Sequence, residues 1–341
     1  MTDFLRPRKK PSVLAVLLAA GFLGSFFIRA DGPGTLPTIA AADTRAIDQA
    51  LEGKTPGPST QNLYIATTAT VTNLYANTFV RNSNLWVGPK VDLTAISAYS
   101  NNEGSYGTKF AITAISPIHC LGAQHVNLKP GTMLNFVGVD NRTATRTVMA
   151  SMNAADDIDV YLLDSELPRT ITPMKILPAN WQQYIQLNDD SDTPPIPVIF
   201  ANQENRLYCA EAARIIPGPT SMVAYHLPST SQRLAFSKQV ISGDSSFPEM
   251  LLINGEPVIF TLWHFGGWGA GPLEASQFDA INAAMHTLSQ KADLPTDYQL
   301  RTPFLEGFAK VSTTGQPSSP SAAAPATTDI PAGAPPATTV P

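Results

Sequence analysis

The chain has 341 residues, of which 43% are apolar and only 14% charged, and its formal net charge is −5. This length supports one large or two medium domains with a buried core, and the composition excludes a highly charged disordered polymer. Lysines and arginines are scattered and form no basic stripe, so no nucleic-acid partner is expected.

The one basic cluster, Arg6, Arg8, Lys9 and Lys10, precedes an apolar run from Val13 to Ile28. A positive start followed by such a run is the pattern of an export signal. The run is short for a spanning helix, which needs about 20 residues. Residues 1–30 therefore read as a signal peptide or, if uncleaved, as an N-terminal membrane anchor, and membrane contact is expected only through this segment. In either case the body is expected outside the cytoplasm, secreted or in the cell envelope. Residues 31–60 are rich in Gly, Pro, Thr and Ala. They read as a linker with one or two helical turns around Thr44–Glu52.

From Asn62 to Phe260 short β-rich runs recur between clusters of Asn, Asp, Gly and Pro. The expected strands are Leu63–Val71, Val91–Ala98, Phe110–Ile115, Met133–Val139, Arg146–Ala150, Ile158–Leu163, Val198–Phe200, Arg206–Ile216, Met222–His226, Met250–Ile253 and Val258–Trp263. Many short strands with turn residues between them predict an all-β sandwich or barrel. No helix-strand alternation is present, which argues against a parallel α/β sheet. One helix follows. Phe278, Ile281, Met285 and Leu288 share a face at helical spacing, and Ser276 with Asp279 reads as a capping box at its start. Residues 296–311 read as a short extension. Residues 312–341 hold Ser, Thr, Ala, Gly and Pro with little to bury and are expected to be disordered. Cys120 and Cys209 are the only cysteines. They suit either one disulfide of an exported protein or two buried thiols. No Cys-x-x-Cys spacing exists, so no metal is expected.

The residues able to carry chemistry begin with Gly243-Asp244-Ser245. A serine hydroxyl needs a base to take its proton as it attacks, and the oxyanion that forms needs donors, commonly backbone N–H groups beside the serine. A glycine two residues earlier lets the backbone turn so that such groups converge. After the serine come two apolar runs, Met250–Ile253 and Pro257–Trp263, separated by a turn at Asn254-Gly255. Asn-Gly in that setting is a strong hairpin signal, and a hairpin is a rigid mount for a nucleophile. Five histidines could supply the base: His119, His125, His226, His264 and His286. His286 reads as a surface residue of the helix, His226 as a strand end. His264 reads as structural or as part of a pocket wall. His119 and His125 lie in the stretch from Ala114 to Val126, with Ser116-Pro117 upstream. Three carboxylates, Asp156, Asp157 and Asp159, open the run Ile158–Leu163.

The segment Ser116-Pro117 to Ala123-Gln124-His125 resembles the histidine segment of trypsin/chymotrypsin-like serine peptidases, in which a strand ends in Ser-Pro and Ala-x-His follows an apolar run. The match places the catalytic histidine at His125 in preference to His119. Asp157, followed by Ile158, resembles that family's Asp-Ile-x-Leu-Leu strand, and Asp159 also fits. The order His, Asp, Ser is the family's, and the likeness covers about residues 91–291. It implies two packed six-stranded antiparallel β-barrels with a C-terminal α-helix. The first barrel would span 61–175 and carry His125 and Asp157. The second, with the helix, would span 176–295 and carry Ser245. The family likeness further implies an oxyanion hole from the Gly243 and Ser245 amides, a protein or peptide substrate, hydrolysis through an acyl-enzyme and no cofactor. The alternative is an inactive barrel that binds protein at the cell surface.

The likeness has gaps. Ser246-Phe247-Pro248 stands where the family has Gly-Gly-Pro, and a position needing positive φ would strain Ser or Phe. No Ile-Val-Gly-Gly start precedes Val91, so Asp244 needs a partner other than a freed N-terminus. Gln239 and residues 263–267 are candidate walls of a specificity pocket. No acidic residue is placed to select Lys or Arg.

Overall fold

The structure, a computed structural model, describes residues 36–66, 79–101, 111–187, 193–216, 222–265, 271–272 and 274–311. The signal or anchor segment and the Pro-rich tail lie outside the described residues. Among the described residues no helix is long and apolar enough to cross a membrane.

The fold is mostly β with a C-terminal helix. Strands β1 (Tyr64–Ala66) and β2 (Phe79–Arg81) form a small antiparallel pair. A first sheet takes β3 (Tyr99–Asn101), β4 (Thr113–Ala114), β5 (His119–Ala123), β6 (Met133–Val137), β7 (Thr143–Ala155) and β8 (Ile158–Leu163). Its order is β3-β6-β7-β8-β5-β4, antiparallel throughout. A bridge from Ile96 to Thr113 joins the residues leading into β3 to β4, so the two edges of this sheet curl toward each other.

The second sheet takes β9 (Lys175–Ile176), β10 (Ile196–Ala201), β11 (Leu207–Ile216), β12 (Met222–His226), β13 (Pro248–Ile253), β14 (Glu256–Leu262) and β15 (Gly271–Pro272). Its order is β15-β12-β11-β10-β13-β14-β9, with only β14 and β9 parallel. Seven strands therefore stand where six were expected, because Lys175–Ile176 adds itself to the edge of β14. Every residue of β8, β10 and β13 is buried, which accounts for the continuous apolar character of β10; β8 and β13 each hold a single carboxylate, Asp159 and Glu249, in an otherwise buried run. The β13–β14 turn is the expected one. Asn254 and Gly255 both have positive φ, 55° and 78°, the backbone of a two-residue turn that matches strand twist.

Several expectations change. Val91–Ala98 is not a strand: it forms turns, and only Ile96 joins a ladder. The part of Leu63–Val71 beyond Ala66 lies outside the described residues. The linker 31–60 instead contains a thirteen-residue helix, α1 (Ile39–Leu51), capped by the Thr38 hydroxyl, which accepts from the Ala41 amide. Ile39, Asp43, Ile47 and Leu51 are its buried face, an i, i+4, i+8, i+12 stripe, packed on β10 and β13. The alanines that made this stretch read as low in structure are helix formers. A short helix α2 (Pro58–Gln61) follows.

The C-terminal helix occupies Phe278–Lys291 and its apolar face is the expected one, with Ile281, Met285 and Leu288 buried. A one-turn helix, Ser231–Ala235, is α3 in chain order, and the C-terminal helix is α4. Two details differ from expectation. A 3-10 turn at Glu274–Gln277 runs into α4, so Ser276 lies within that turn and makes no cap, and Gln277 is the N-cap residue. The helix also packs on β7 and β8 of the first sheet, not with the second. The stretch 296–311 is tied down. The Ala309 amide donates to Pro37 O at 2.9 Å and the Val311 amide to Gln183 O at 2.8 Å, while Leu300, Leu305 and Phe308 are buried. Both cysteines are buried free thiols, Cys120 on β5 and Cys209 on β11, so the disulfide option is not taken. Burial pushes both thiols well up.

The N-terminal helix is fastened by charge as well as by apolar packing. Arg233 of α3 donates to Glu211 of β11 at 2.7 Å and to both oxygens of Asp48 of α1, at 2.7 and 3.1 Å. Arg233 and Glu211 are buried, whereas the Asp48 side chain is 41% exposed. Removing the cation strands a buried carboxylate, so Arg233→Ala should lower unfolding stability by about 3–5 kcal/mol. Asp48→Ala breaks only the exposed arm and should cost about 1 kcal/mol. Urea denaturation of the two variants measures the difference.

Candidate active site

His125 follows directly from the end of β5, in a 3-10 turn Gln124–Val126 that closes on Asn127 with φ 51°. Asp157 sits in the turn between β7 and β8, beside Asp156 with φ 41°. Because β5 and β8 are neighbours, with Ala123 opposite Ile158, the two short turns lie side by side. Their backbones lock together: the Gln124 amide donates to Asp157 O at 2.8 Å. The side-chain amide of Asn153 holds the other end, donating to Asp156 O at 2.8 Å and Ile158 O at 3.1 Å.

The Asp157 carboxylate then meets three donors. Oδ1 accepts from the His125 amide at 2.8 Å, and Oδ2 lies 2.6 Å from His125 Nδ1 and 2.9 Å from His264 Nδ1. Burial alone would raise its pKa, but the bonds from His125 and His264 outweigh burial and hold Asp157 well below the usual carboxylate range. A carboxylate in that state only accepts, so both Nδ1 atoms carry protons. The opposite ring nitrogen of His125, Nε2, lies 2.8 Å from Ser245 Oγ and is left to accept the serine proton. His125, Asp157 and His264 offer ligand atoms within 4.8 Å of one another. Metal-bound nitrogens must be deprotonated, whereas the two facing Asp157 carry protons, so the convergence is that of a hydrogen-bonded relay.

Ser245 is held by a loop whose every turn has an identifiable anchor. Asp244 is buried, and its carboxylate accepts from the Gln203 amide at 3.0 Å and the Ile241 amide at 2.9 Å. Gly243 has φ 98°, and a Cβ there would lie 2.9 Å from the Gln203 side-chain amide, which itself donates to Ser242 O at 2.9 Å. Glycine is required at this point for both reasons. Among the described residues the Gly243 and Ser245 amides have no acceptor, so both are available to a ligand.

The two bulky residues after the serine are accommodated in different ways. Ser246 takes the left-handed backbone, φ 72°, where the family pattern has glycine. Its buried hydroxyl accepts from the Ala123 amide at 2.8 Å, on the strand that leads to His125. Gly122 makes room for this, since a Cβ there would lie 3.1 Å from Ser246 Oγ and 2.6 Å from Ile112 Cδ1. Phe247 has ordinary backbone and is buried; its carbonyl accepts from the Trp263 amide at 2.9 Å, while the Ser246 amide donates to Trp263 O at 2.8 Å. The side chain that looked obstructive in sequence points into the core.

His119 and Asp159 lie away from Ser245. His119 is buried between Ser116 and Ser289 of α4, with Nδ1 2.8 Å from Ser116 Oγ and Nε2 3.1 Å from Ser289 Oγ. Ser116 Oγ already accepts the Ile118 and His119 amides, so its own proton goes to Nδ1 and the ring is neutral. Burial lowers its pKa to about 4. Asp159 is buried on β8, bonded by Asn153, and burial raises its pKa. The candidate pocket wall at 263–267 is described only to Phe265, which is half-exposed, and Gln239 is exposed. Residues that sequence reasoning did not place at the site are Glu274 and Gln203, and His264, expected as structural or as a pocket wall, instead contacts Asp157. His264 meets Asp157 across 107 positions of sequence, and the only local signal was its position just after a buried strand.

No family model matches the chain, and no curated protein matches it. Among solved structures it is similar to a mutant of human heparin binding protein (CAP37), with a TM-score of 0.40 and 13% sequence identity over 56% of this chain and 91% of that one.

Two outcomes follow from the local geometry. Ser246→Ala keeps the left-handed backbone and leaves the Ala123 amide without an acceptor, and should cost about 1–3 kcal/mol. Ser246→Gly also loses the hydroxyl but relieves the backbone, and should cost less; denaturant midpoints rank the pair. His119 has a folded pKa below its ordinary 6.5, so its contribution is intact above 6.5 and is lost as pH falls toward 4. The stability of His119→Asn should be flatter over that window, as followed by thermal melts at fixed pH steps.

Proposed function

We propose that this chain is an exported trypsin-like serine endopeptidase, with its two sheets in the role of that family's two barrels. The observation that carries the reading is the continuous path Asp157–His125–Ser245, with contacts of 2.6 and 2.8 Å, beside two amides free to bind an oxyanion. The order of the three residues along the chain and the motifs around them support the family assignment. The basic and apolar N-terminus supports export.

In this mechanism Ser245 Oγ attacks the substrate carbonyl carbon while His125 Nε2 takes its proton. The Gly243 and Ser245 amides bind the oxygen that becomes negative. The C–N bond breaks as His125 returns the proton to the leaving amine, leaving an ester on Ser245. Water, deprotonated by the same nitrogen, releases the acid. Asp157 keeps the His125 proton on Nδ1 and stabilises the imidazolium. The bonds to Asp244 from Gln203 and Ile241 support a loop that is formed by its own chain and needs no released N-terminus.

A fluorophosphonate probe tests the reading, since it requires an activated serine. The intact protein should label on Ser245, Ser245→Ala should not, and His125→Ala should label about 10²–10⁴-fold more slowly. Cleavage of a denatured protein substrate should follow the same ranking. An intact protein that does not label would instead favour an inactive barrel that binds protein.

A further inference from the structure

His264 is bonded at both ring nitrogens, and both partners are carboxylates. Nδ1 lies 2.9 Å from Asp157 Oδ2 and Nε2 lies 3.0 Å from Glu274 Oε1. Neither His264 nor Glu274 has any exposed side-chain surface. Burial raises the Glu274 pKa, and the bond and charge of His264 act against it; with Glu274 ionised, a buried imidazole between two carboxylates carries a proton on each nitrogen. The geometry points to a five-member relay, Ser245–His125–Asp157–His264–Glu274, in which the His264 imidazolium and its Glu274 counter-ion are positioning groups that keep Asp157 ionised and aimed at His125. This rests on the hydrolase reading and extends it by two residues.

The relay joins separate parts of the chain. Asp157 and His125 come from turns of the first sheet. His264 follows β14, and Glu274 opens the 3-10 turn before α4. The other titratable groups here are His125, whose ring lies 6.3 Å from that of His264, Asp159 and Tyr161 of β8, each raised mainly by burial and in part by the charge of Asp157, and Glu249 of β13 with Tyr225 of β12. Burial pushes Glu249 strongly up and Glu274 pushes it further, against a bond from Tyr225 that lowers it. Tyr225 is also pushed up by burial, and its hydroxyl lies 2.6 Å from Thr261 Oγ1. Of these, His125 shares Asp157 Oδ2 with His264, its Nδ1 lying 2.6 Å away. For His264 itself, burial alone would lower the pKa, but the bonds to Asp157 and Glu274 outweigh it and bring it to about 9. The cation is therefore present throughout neutral pH and is lost as pH rises through about 9.

Glu274→Gln separates positioning from simple packing. The amide is nearly the same size, and its oxygen still accepts from Nε2–H, but it no longer holds the charge. Fluorophosphonate labelling of Ser245, followed from pH 6 to 10, should match the intact protein near pH 6. It should then fall on the alkaline side at least one pH unit earlier. His264→Phe, which keeps a ring but loses both donors, should label at least tenfold more slowly at every pH. Nitrogen NMR of the histidine rings gives a readout that does not depend on activity: at pH 7.5 both His264 nitrogens should be protonated in the intact protein. An unchanged alkaline limb in Glu274→Gln, or a singly protonated His264 ring, overturns the relay. If the intact protein shows the doubly protonated ring but does not label, the ion pair stands as structure while the hydrolase reading, and with it the positioning role, fails.

Discussion

The Asp157 carboxylate is the point on which this site depends. It draws donors from both sheets, and each donor fixes a different degree of freedom. The His125 amide sets the turn after β5, and His125 Nδ1 sets the ring. His264 ties the end of β14 to both. A carboxylate half out of water is costly unless its lone pairs are matched. Here the matching groups are the ones whose placement matters, so the energetic need and the geometric need coincide.

The serine loop follows the same logic. Its sharp backbone is stabilised by groups from elsewhere in the chain: Gln203 and Ile241 for Asp244, Trp263 for the amide of Ser246 and the carbonyl of Phe247, and Ala123 for the Ser246 hydroxyl. The left-handed serine is a local cost offset by a long-range bond. That bond also runs to the strand that leads into His125, so Ser245 and His125 are held in register through backbone as well as through their own contact.

Much of this could be read from residue order. Ile158–Leu163 and Met222–His226 were legible because apolar runs bounded by turn residues have few other outcomes, and the Asn254-Gly255 hairpin because its backbone demands those residues. The helix face at Ile281, Met285 and Leu288 was legible from period alone. What was not legible depended on partners far away. His119–Ala123 did not read as a strand, since the apolar run is short and interrupted by Gly122, and only pairing with β8 gives it form. Helix α1 was legible only as a turn or two around Thr44–Glu52, in a stretch rich in alanine and proline, because its buried stripe of four residues matters only once β10 and β13 are there to receive it. At the site, Ser246 and Phe247 looked like two equal obstacles. The structure separates them, one strained and bonded, the other ordinary and buried. His264 carried no local mark of its role because both its partners are acidic residues from other segments.

Helix α1 bears on where the folded unit starts. Its apolar stripe covers β10 and β13, the Asp43 carboxylate accepts the Leu252 amide at 2.6 Å, and Asp48 shares Arg233 with Glu211. The strand that carries chain away from Ser245 is thus roofed by residues only ten to twenty positions beyond the apolar N-terminal run. A chain trimmed to the β-rich region, beginning at residue 61, would present the outer face of that strand to water and leave an arginine with half its partners. The folded body therefore takes in Thr38, the N-cap of α1, and reaches more than twenty residues ahead of β1.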